Sequence, residues 1–352
     1  MSDQPIRIGF IGAGNIVRQR HLPNLREIEG VTFTAVTNRT PRSSQAVADE
    51  WSIGAIESDW RKLIERDDVD AVWIGTWPYL HREITVAALE TGRHVFCQAR
   101  MANDWAESIA MYEAARARDE LVTMICPPPH RMPWEPFIRN RIEGGDLGEI
   151  REIRVTSINP SNADPNSITW REQVQYSGLQ ALQVGIWAET LNAWVGDYRK
   201  LSATTAIPLP RKTDADGNTH EIRIPQVVSV HGELASGVVI SEHHSGLSLH
   251  EKANAVTIQG SQATMRVDVM NRISLAPAGE PLEPIDVPDD EQQPWQVERE
   301  FIDAVRAARR GESWSVDPDF FAGLRYMRKV QAIADSAAEG CTVDLDQRYP
   351  IH

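Results

Sequence analysis

Ile6 to Val17, IRIGFIGAGNIV, is the stretch that leaves this chain the fewest alternatives. Ile6, Ile8, Phe10 and Ile11 form a short apolar run, Gly12 and Gly14 follow at once, and a helical pattern opens near Asn15. Strand, tight turn and helix in that order leave backbone N–H groups and the positive end of a helix dipole facing one point, which suits a pyrophosphate. Gly12 permits the sharp turn and Gly14 lets the backbone approach the phosphates. Gly12, Gly14, Asn15 and Ile16 are therefore expected to contact a dinucleotide. The third fingerprint position, usually Gly or Ala, is Val17, whose bulk should push the helix slightly off the strand.

The pattern continues in the same style for about 125 residues, alternating strand and helix. A helix is expected over Arg18–Glu29, broken or kinked near Pro23, then a strand at Val31–Thr37. A helix at Ser43–Trp51 and a short strand near Ile56 follow, then a buried strand at Val69–Thr76. Helix Arg82–Glu90 ends at Gly92, and His94–Cys97, helix Trp105–Arg118 and strand Leu121–Ile125 complete the series. This alternation specifies an α/β fold with an N-terminal doubly wound parallel sheet of the Rossmann type. The second strand ends in Asn38, Arg39 and Thr40. An acidic residue roughly 20 residues beyond the glycines would hold the ribose 2′-OH of NAD. Asn38 and Arg39 stand there instead; Asn38 can bond a 2′-phosphate, and Arg39 can pair with it or stack on adenine. NADP is favoured over NAD.

The chain of 352 residues suits two domains, expected at 1–126 and 127–352. A formal net charge of −14 repels phosphate backbones and anionic lipid, so nucleic-acid and membrane partners are not expected. No apolar run approaches the roughly 18 residues of a membrane helix, and the N-terminus shows no signal-peptide pattern. The three cysteines, Cys97, Cys126 and Cys341, have no metal or redox spacing; Cys97 and Cys126 follow apolar strand-like runs, which fits buried filler in a reducing cytoplasm.

IGAGNI, His21-Leu-Pro, GTWPYLH, GRHVFC and SGLQALQVGIW occur in an order and spacing that resembles the family of glucose–fructose oxidoreductase, inositol dehydrogenase and MocA, over nearly the whole chain. The resemblance implies a second α/β domain whose open, mostly antiparallel sheet covers the nicotinamide on one face and makes a homodimer or homotetramer with the other. It implies hydride transfer between NAD(P) and a sugar or cyclitol. Thr76, Trp77 and His81 match the stretch that borders the nicotinamide and its ribose. Gln98, Ala99 and Arg100 fall where the family carries Glu-Lys-Pro, which implies Gln98 as a further cofactor contact and puts Ala99 in place of the lysine that helps shift the substrate proton. Gln183 and Trp187 fall where the family places an Asp and, four residues on, a His. With Thr190 they share one helix face, expected to point into the cleft. The family's acid–base apparatus is thus absent while its nucleotide site is mostly kept.

Replacement chemistry is sought in several places. His130 lies in CPPPHRMPWEP, where three prolines stiffen a loop that borders the cleft in this fold, and it is the first candidate acid or base. Tyr176, in TWREQVQYSGLQ, is the second. Trp170 and Arg171 on that loop, with Gln183 and Trp187, are candidate substrate contacts; Arg171 can instead form a surface ion pair with Glu172. Glu189 sits about 240° around the helix from Gln183 and should face packing. His243 and His244 point to opposite faces of a strand, and no ligand set around them suits a metal. Further strands are expected near 150–157, 199–207, 226–234, 237–242, 255–259 and 263–269, with a surface hairpin at 211–220. An irregular connector should span 277–294, and helices 294–310, with Trp295 inward, and 319–338. Three readings remain open: an NAD(P)-dependent oxidoreductase acting on a sugar-like or other small hydroxyl or carbonyl compound; a redox-neutral lyase or hydrolase with tightly bound nucleotide; and a non-catalytic nucleotide-binding protein.

Overall fold

The computed structural model describes residues 4–131, 133–269 and 271–351. The chain divides into two compact units, one of residues 1–127 and 296–324, the other of residues 128–295 and 325–352.

The first unit carries β1 (Ile6–Ile11), α1 (Leu22–Arg26), β2 (Val31–Thr37), α2 (Pro41–Trp51), β3 (Ala55–Ile56), α3 (Trp60–Ile64), β4 (Ala71–Ile74), α4 (His81–Glu90), β5 (His94–Cys97), α5 (Trp105–Arg116) and β6 (Thr123–Ile125). The six strands are parallel, in the order β3-β2-β1-β4-β5-β6. Such a sheet is covered on both faces, and β4 and β5 are buried at every residue. The helices begin where side chains cap them: Thr40 accepts from the Ser43 N–H, Asp59 from that of Arg61 and Asp104 from that of Glu107. The expected break at Pro23 falls earlier. Val17–His21 form a π-helical turn, and Pro23 sits in the first turn of α1, where a missing N–H is harmless.

The second unit carries α6 (Glu135–Glu143), β7 (Ile150–Ile158), α7 (Val174–Ser177), α8 (Val184–Trp194), β8 (Tyr198–Ala206), the hairpin β9 (Arg211–Thr213) and β10 (Thr219–Glu221), β11 (Val227–Leu234), β12 (Val239–Ser245), β13 (Ala253–Gly260), β14 (Ala263–Asp268), β15 (Arg272–Pro277) and β16 (Glu283–Ile285). Next in the chain, α9 (Val297–Arg309) belongs to the first unit, where Phe301 meets the stacked rings of Trp73 and Phe96 edge-on. Helix α10 (Phe320–Glu339) follows, then β17 (Val343–Asp344) and α11 (Leu345–Arg348). The nine-stranded sheet runs β16-β15-β14-β13-β7-β12-β11-β8-β17 and is antiparallel except between β7 and β12. Strand β16, inside the stretch expected to be irregular, extends that sheet, and Trp295 lies outside α9, half-buried.

Alternation sets one face of this sheet inward: Val228 and Val230, Ile240, Val256 and Ile258 are fully buried, whereas His231 and His243 on the opposite face are exposed. The inward face also holds charge. Glu242 is bonded by the Lys329 ammonium and the Tyr198 hydroxyl, with His244 Nε2 2.9 Å from its other oxygen. Burial alone would raise this carboxyl, but Lys329 and His244 outweigh it and bring it down to about 2.

Candidate functional site

The first unit holds a cavity of about 610 Å³ at the carboxyl ends of β1, β2 and β4, where the strand order reverses. Its floor is backbone. Gly12 has φ +82° and donates its N–H to the Thr37 carbonyl; a Cβ there would lie 2.7 Å from the Thr76 nitrogen. A Cβ on Gly14 would meet nothing of the protein closer than 3.9 Å, so its bareness serves whatever enters the cavity rather than packing. Gly75 explains how Val17 is tolerated: a Cβ at 75 would lie 2.5 Å from a Val17 methyl, so the bulk at the third fingerprint position fills a space left by another glycine.

Asn15, Asn38, Arg39, Thr76 and Trp77 line this cavity with the glycines. The Asn38 amide nitrogen donates to the Ser43 carbonyl at 3.1 Å and its backbone N–H to the Ser44 hydroxyl, which leaves the buried Oδ1 without a hydrogen-bond partner among the described residues. The Arg39 guanidinium is exposed, 5.2 Å over the Trp77 ring. Asp59 also lines the wall, a contact the sequence reading lacked; it caps α3 and is engaged by Arg61.

Ile16, His81 and Gln98, expected as cofactor contacts, do not line the cavity. Ile16 is on the surface. His81 is fully buried with Nε2 2.9 Å from the Thr76 carbonyl and Nδ1 3.0 and 3.1 Å from those of Arg100 and Met101; it holds the Thr76 loop from behind. The Gln98 amide turns onto His21 Nε2, inside a buried network in which Glu298 bonds His21 Nδ1 and Asn24.

In the second unit Gln183 and Trp187, expected in the cleft, are bound to other residues of the protein. Gln183 precedes α8, and its Oε1 accepts from the Ser157 hydroxyl at 3.2 Å. Trp187, expected on a pocket wall, is fully buried, as is Thr190, whose hydroxyl bonds back to the Ile186 carbonyl. The indole is large enough to fill the space that the helix face was expected to leave open. Its Nε1–H donates to Asn254 Oδ1 at 2.9 Å, Asn254 Nδ2 lies 3.1 Å from His130 Nε2, and the His130 and Trp187 rings are 5.2 Å apart. Burial pushes His130 down to about 4, so the ring is neutral at neutral pH. Glu189 faces packing, 3.8 Å from the Arg131 guanidinium that grips Glu135.

Tyr176 lies half-buried on α7, and Trp170 carries Arg171 over its ring at 4.4 Å. The surface pair of Arg171 with Glu172 does not form. Glu172 is buried, closes a capping box with Thr169 and pairs with Lys212 Nζ at 2.7 Å, so the hairpin expected to be wholly on the surface is pinned by a buried lysine. Asn254, Ser157 and Lys212 were missed. The available signal was alternation, which sets Asn254 on the face of Val256 and Ile258. The expected strand began one residue too late to include it.

Known proteins agree with this architecture. Residues 6–125 match the model of an oxidoreductase family with an NAD-binding Rossmann fold, and residues 139–345 match that family's C-terminal alpha/beta domain. A levoglucosan dehydrogenase from Pseudarthrobacter phenanthrenivorans is 34% identical over 148 residues, 42% of this chain and 38% of that protein. A 4-carboxy-2-hydroxymuconate-6-semialdehyde dehydrogenase from a Sphingobium species is 29% identical over 145 residues, 40% of this chain and 44% of that protein. The chain thus spans about two fifths of the length of these curated relatives. The solved structure of a levoglucosan dehydrogenase in complex with NADH and levoglucosan superposes with a TM-score of 0.86 at 22% identity, covering 97% of this chain and all of that one, which shows a common fold. By both of its domains, this chain belongs to the oxidoreductase family of glucose–fructose oxidoreductase, inositol dehydrogenase and MocA.

Proposed function

We propose that this chain is an NAD(P)-dependent oxidoreductase acting on a sugar-like or other small hydroxyl or carbonyl compound, with proton-handling groups other than the family's lysine, aspartate and histidine. The observation that carries the reading is the open backbone at Gly14 beside the obligatory turn at Gly12, in a cavity large enough for a dinucleotide. The bound nicotinamide supplies the hydride acceptor or donor. The chain's own part at that end is to hold it: the backbone at the head of the helix that follows Gly14 takes the pyrophosphate, and Asn38, Arg39 and Trp77 take the adenosine. NADP is favoured, because an exposed guanidinium follows β2 and the wall carboxylate, Asp59, is engaged by Arg61. His130 and Tyr176 are the candidate catalytic residues, with Trp170, Arg171 and Gln183 as substrate contacts. The likeness to a levoglucosan dehydrogenase supports a sugar substrate. A homodimer or homotetramer follows from the family resemblance, and a reducing cytoplasm suits three free cysteines.

The test is calorimetry with NAD, NADH, NADP and NADPH, native mass spectrometry of the purified protein, and absorbance in the reduced-nicotinamide band with a panel of sugars and cyclitols. Nucleotide binding with net reduction or oxidation is expected. No heat from any of the four, and no nucleotide carried through purification, would overturn the reading.

A further inference from the structure

We propose that His130 presents Nδ1–H as a neutral hydrogen-bond donor to a hydroxyl or carbonyl oxygen of the substrate, with Asn254 and Trp187 as the positioning residues that set its tautomer. This rests on the proposed oxidoreductase reading for the nature of the substrate, and it assigns His130 a narrower role than general acid or base.

The inference runs along a chain of donors. An indole nitrogen can only donate. Trp187 Nε1 at 2.9 Å therefore fixes which end of the Asn254 carboxamide is oxygen. The other end is a donor, and it lies 3.1 Å from His130 Nε2. Nε2 must then offer its lone pair, and a neutral ring carries its single proton on Nδ1. His130 is only 8% exposed, and its Nδ1 is buried without a hydrogen-bond partner among the described residues. Native proteins seldom leave a buried donor in that condition. An acceptor oxygen brought by a ligand would satisfy it.

Two consequences separate this from ordinary histidine catalysis. The lone pair that a general base needs is already occupied by Asn254, so the ring orients and polarises an oxygen instead of taking its proton. The residue at the family's histidine position also keeps a part in the site. Trp187 carries no titratable proton, yet through Asn254 it decides which nitrogen of another imidazole is protonated.

The test is ¹⁵N NMR of the full chain labelled in its ten imidazoles, with His130 assigned from His130→Gln. At pH 7 the His130 ring should be neutral with the proton on Nδ1. Levoglucosan, myo-inositol or glucose, added with NADP, should shift that nitrogen. Asn254→Asp replaces the donor with an acceptor of equal size; it should move the proton to Nε2 and abolish the shift. If that variant fails to fold, Trp187→Phe, which frees the carboxamide to rotate, should give a mixture of tautomers. A proton on Nε2 in the native chain, no shift with any of the three compounds, or a shift that survives loss of the Nδ1 proton would overturn the proposal. Nucleotide calorimetry on the same samples separates the two readings. Binding with the wrong tautomer sinks this inference alone, whereas the right tautomer without nucleotide binding sinks the oxidoreductase reading.

Discussion

At the ends of β1, β2 and β4 the turn at Gly12 and Gly14, neighbours in sequence, brings bare backbone to the cavity. On the inward face of the second sheet the groups that matter are side chains from distant stretches: His130 and Asn254 are 124 residues apart, and Trp187 and Asn254 are 67 apart. A cradle made of N–H groups keeps its chemistry when side chains change, provided the turn survives. Val17 illustrates this, because Gly75 absorbs its bulk. A site made of side chains has no such protection. Ala99, Gln183 and Trp187, which the resemblance sets at the family's proton-handling positions, carry no acid or base.

The largest test of this contrast strikes the second unit. Lys329→Met leaves the buried Glu242 carboxylate without its cation, and breaking a buried pair from one side costs about 3–5 kcal/mol. Urea unfolding should report that loss, with hydrogen exchange accelerated in β8 and β12, while NADP affinity stays within about threefold. A fall in nucleotide affinity as steep as the fall in stability would erase the distinction between the regions. In the first unit Gly12→Val forces a positive φ on a branched residue and drives its Cβ against Thr76, about 3 kcal/mol of folding stability in urea unfolding, and a turn that shifts to escape the clash should lose nucleotide affinity by at least about tenfold. Gly14→Ala sharpens the point. Its Cβ comes no closer than 3.9 Å to the protein, so the melting temperature should hold while the Kd for NADP rises about tenfold. Unchanged affinity in that variant would mean that no phosphate approaches Gly14.

The same contrast explains what the sequence could disclose. The parallel sheet was legible because its strands are short continuous apolar runs between capped helices, and Gly12 and Gly14 declared the cavity by position alone. The resemblance also implied that Ala99, Gln183 and Trp187 stand where the family carries its Lys, Asp and His. Their replacement was not legible. Nothing near Asn254 in EKANAV marks it as the partner of an indole and an imidazole, because that triad exists only once α8, β13 and the loop at 130 are brought together. Lys212 read as a charge in a polar hairpin, and only the tertiary fold buries it on Glu172. His81 and Gln98 were placed in the right neighbourhood but turned the wrong way, since buried polar atoms seek partners and the nearest were backbone carbonyls and His21.

In one respect the two regions should behave alike. Burial pushes both His94 in the first unit and His130 in the second down to about 4. The unfolded chain takes up these protons near pH 6.5. Below that value the unfolded state binds more protons than the folded one, so stability is lost as pH falls from about 6.5 to about 4, by about 2 kcal/mol per histidine at pH 5. His94 Nδ1 accepts the Val122 N–H at 2.9 Å, so His94→Asn can keep that bond without the titration. His94→Asn and His130→Gln should each flatten the acid limb of the stability curve by a similar amount, measured by urea unfolding between pH 7 and pH 5. A variant that leaves the limb unchanged would show that its imidazole is not held neutral.

The smallest effect concerns Arg39, proposed to set the choice between the two nucleotides. Arg39 rests over Trp77 at 5.2 Å, an exposed cation–π contact worth about 0.5–1 kcal/mol. A 2′-phosphate offers a charge-assisted bond worth about 1.5–3 kcal/mol, enough to draw the guanidinium off the ring. Arg39→Ala should therefore weaken NADP about tenfold and NAD by less than about threefold, read by calorimetry with both. Equal losses would mean that Arg39 meets the adenine common to the two nucleotides. The Oδ1 of Asn38, unpartnered among the described residues and an acceptor suited to a ribose hydroxyl, would then be the better guide to specificity, and the preference would pass to NAD.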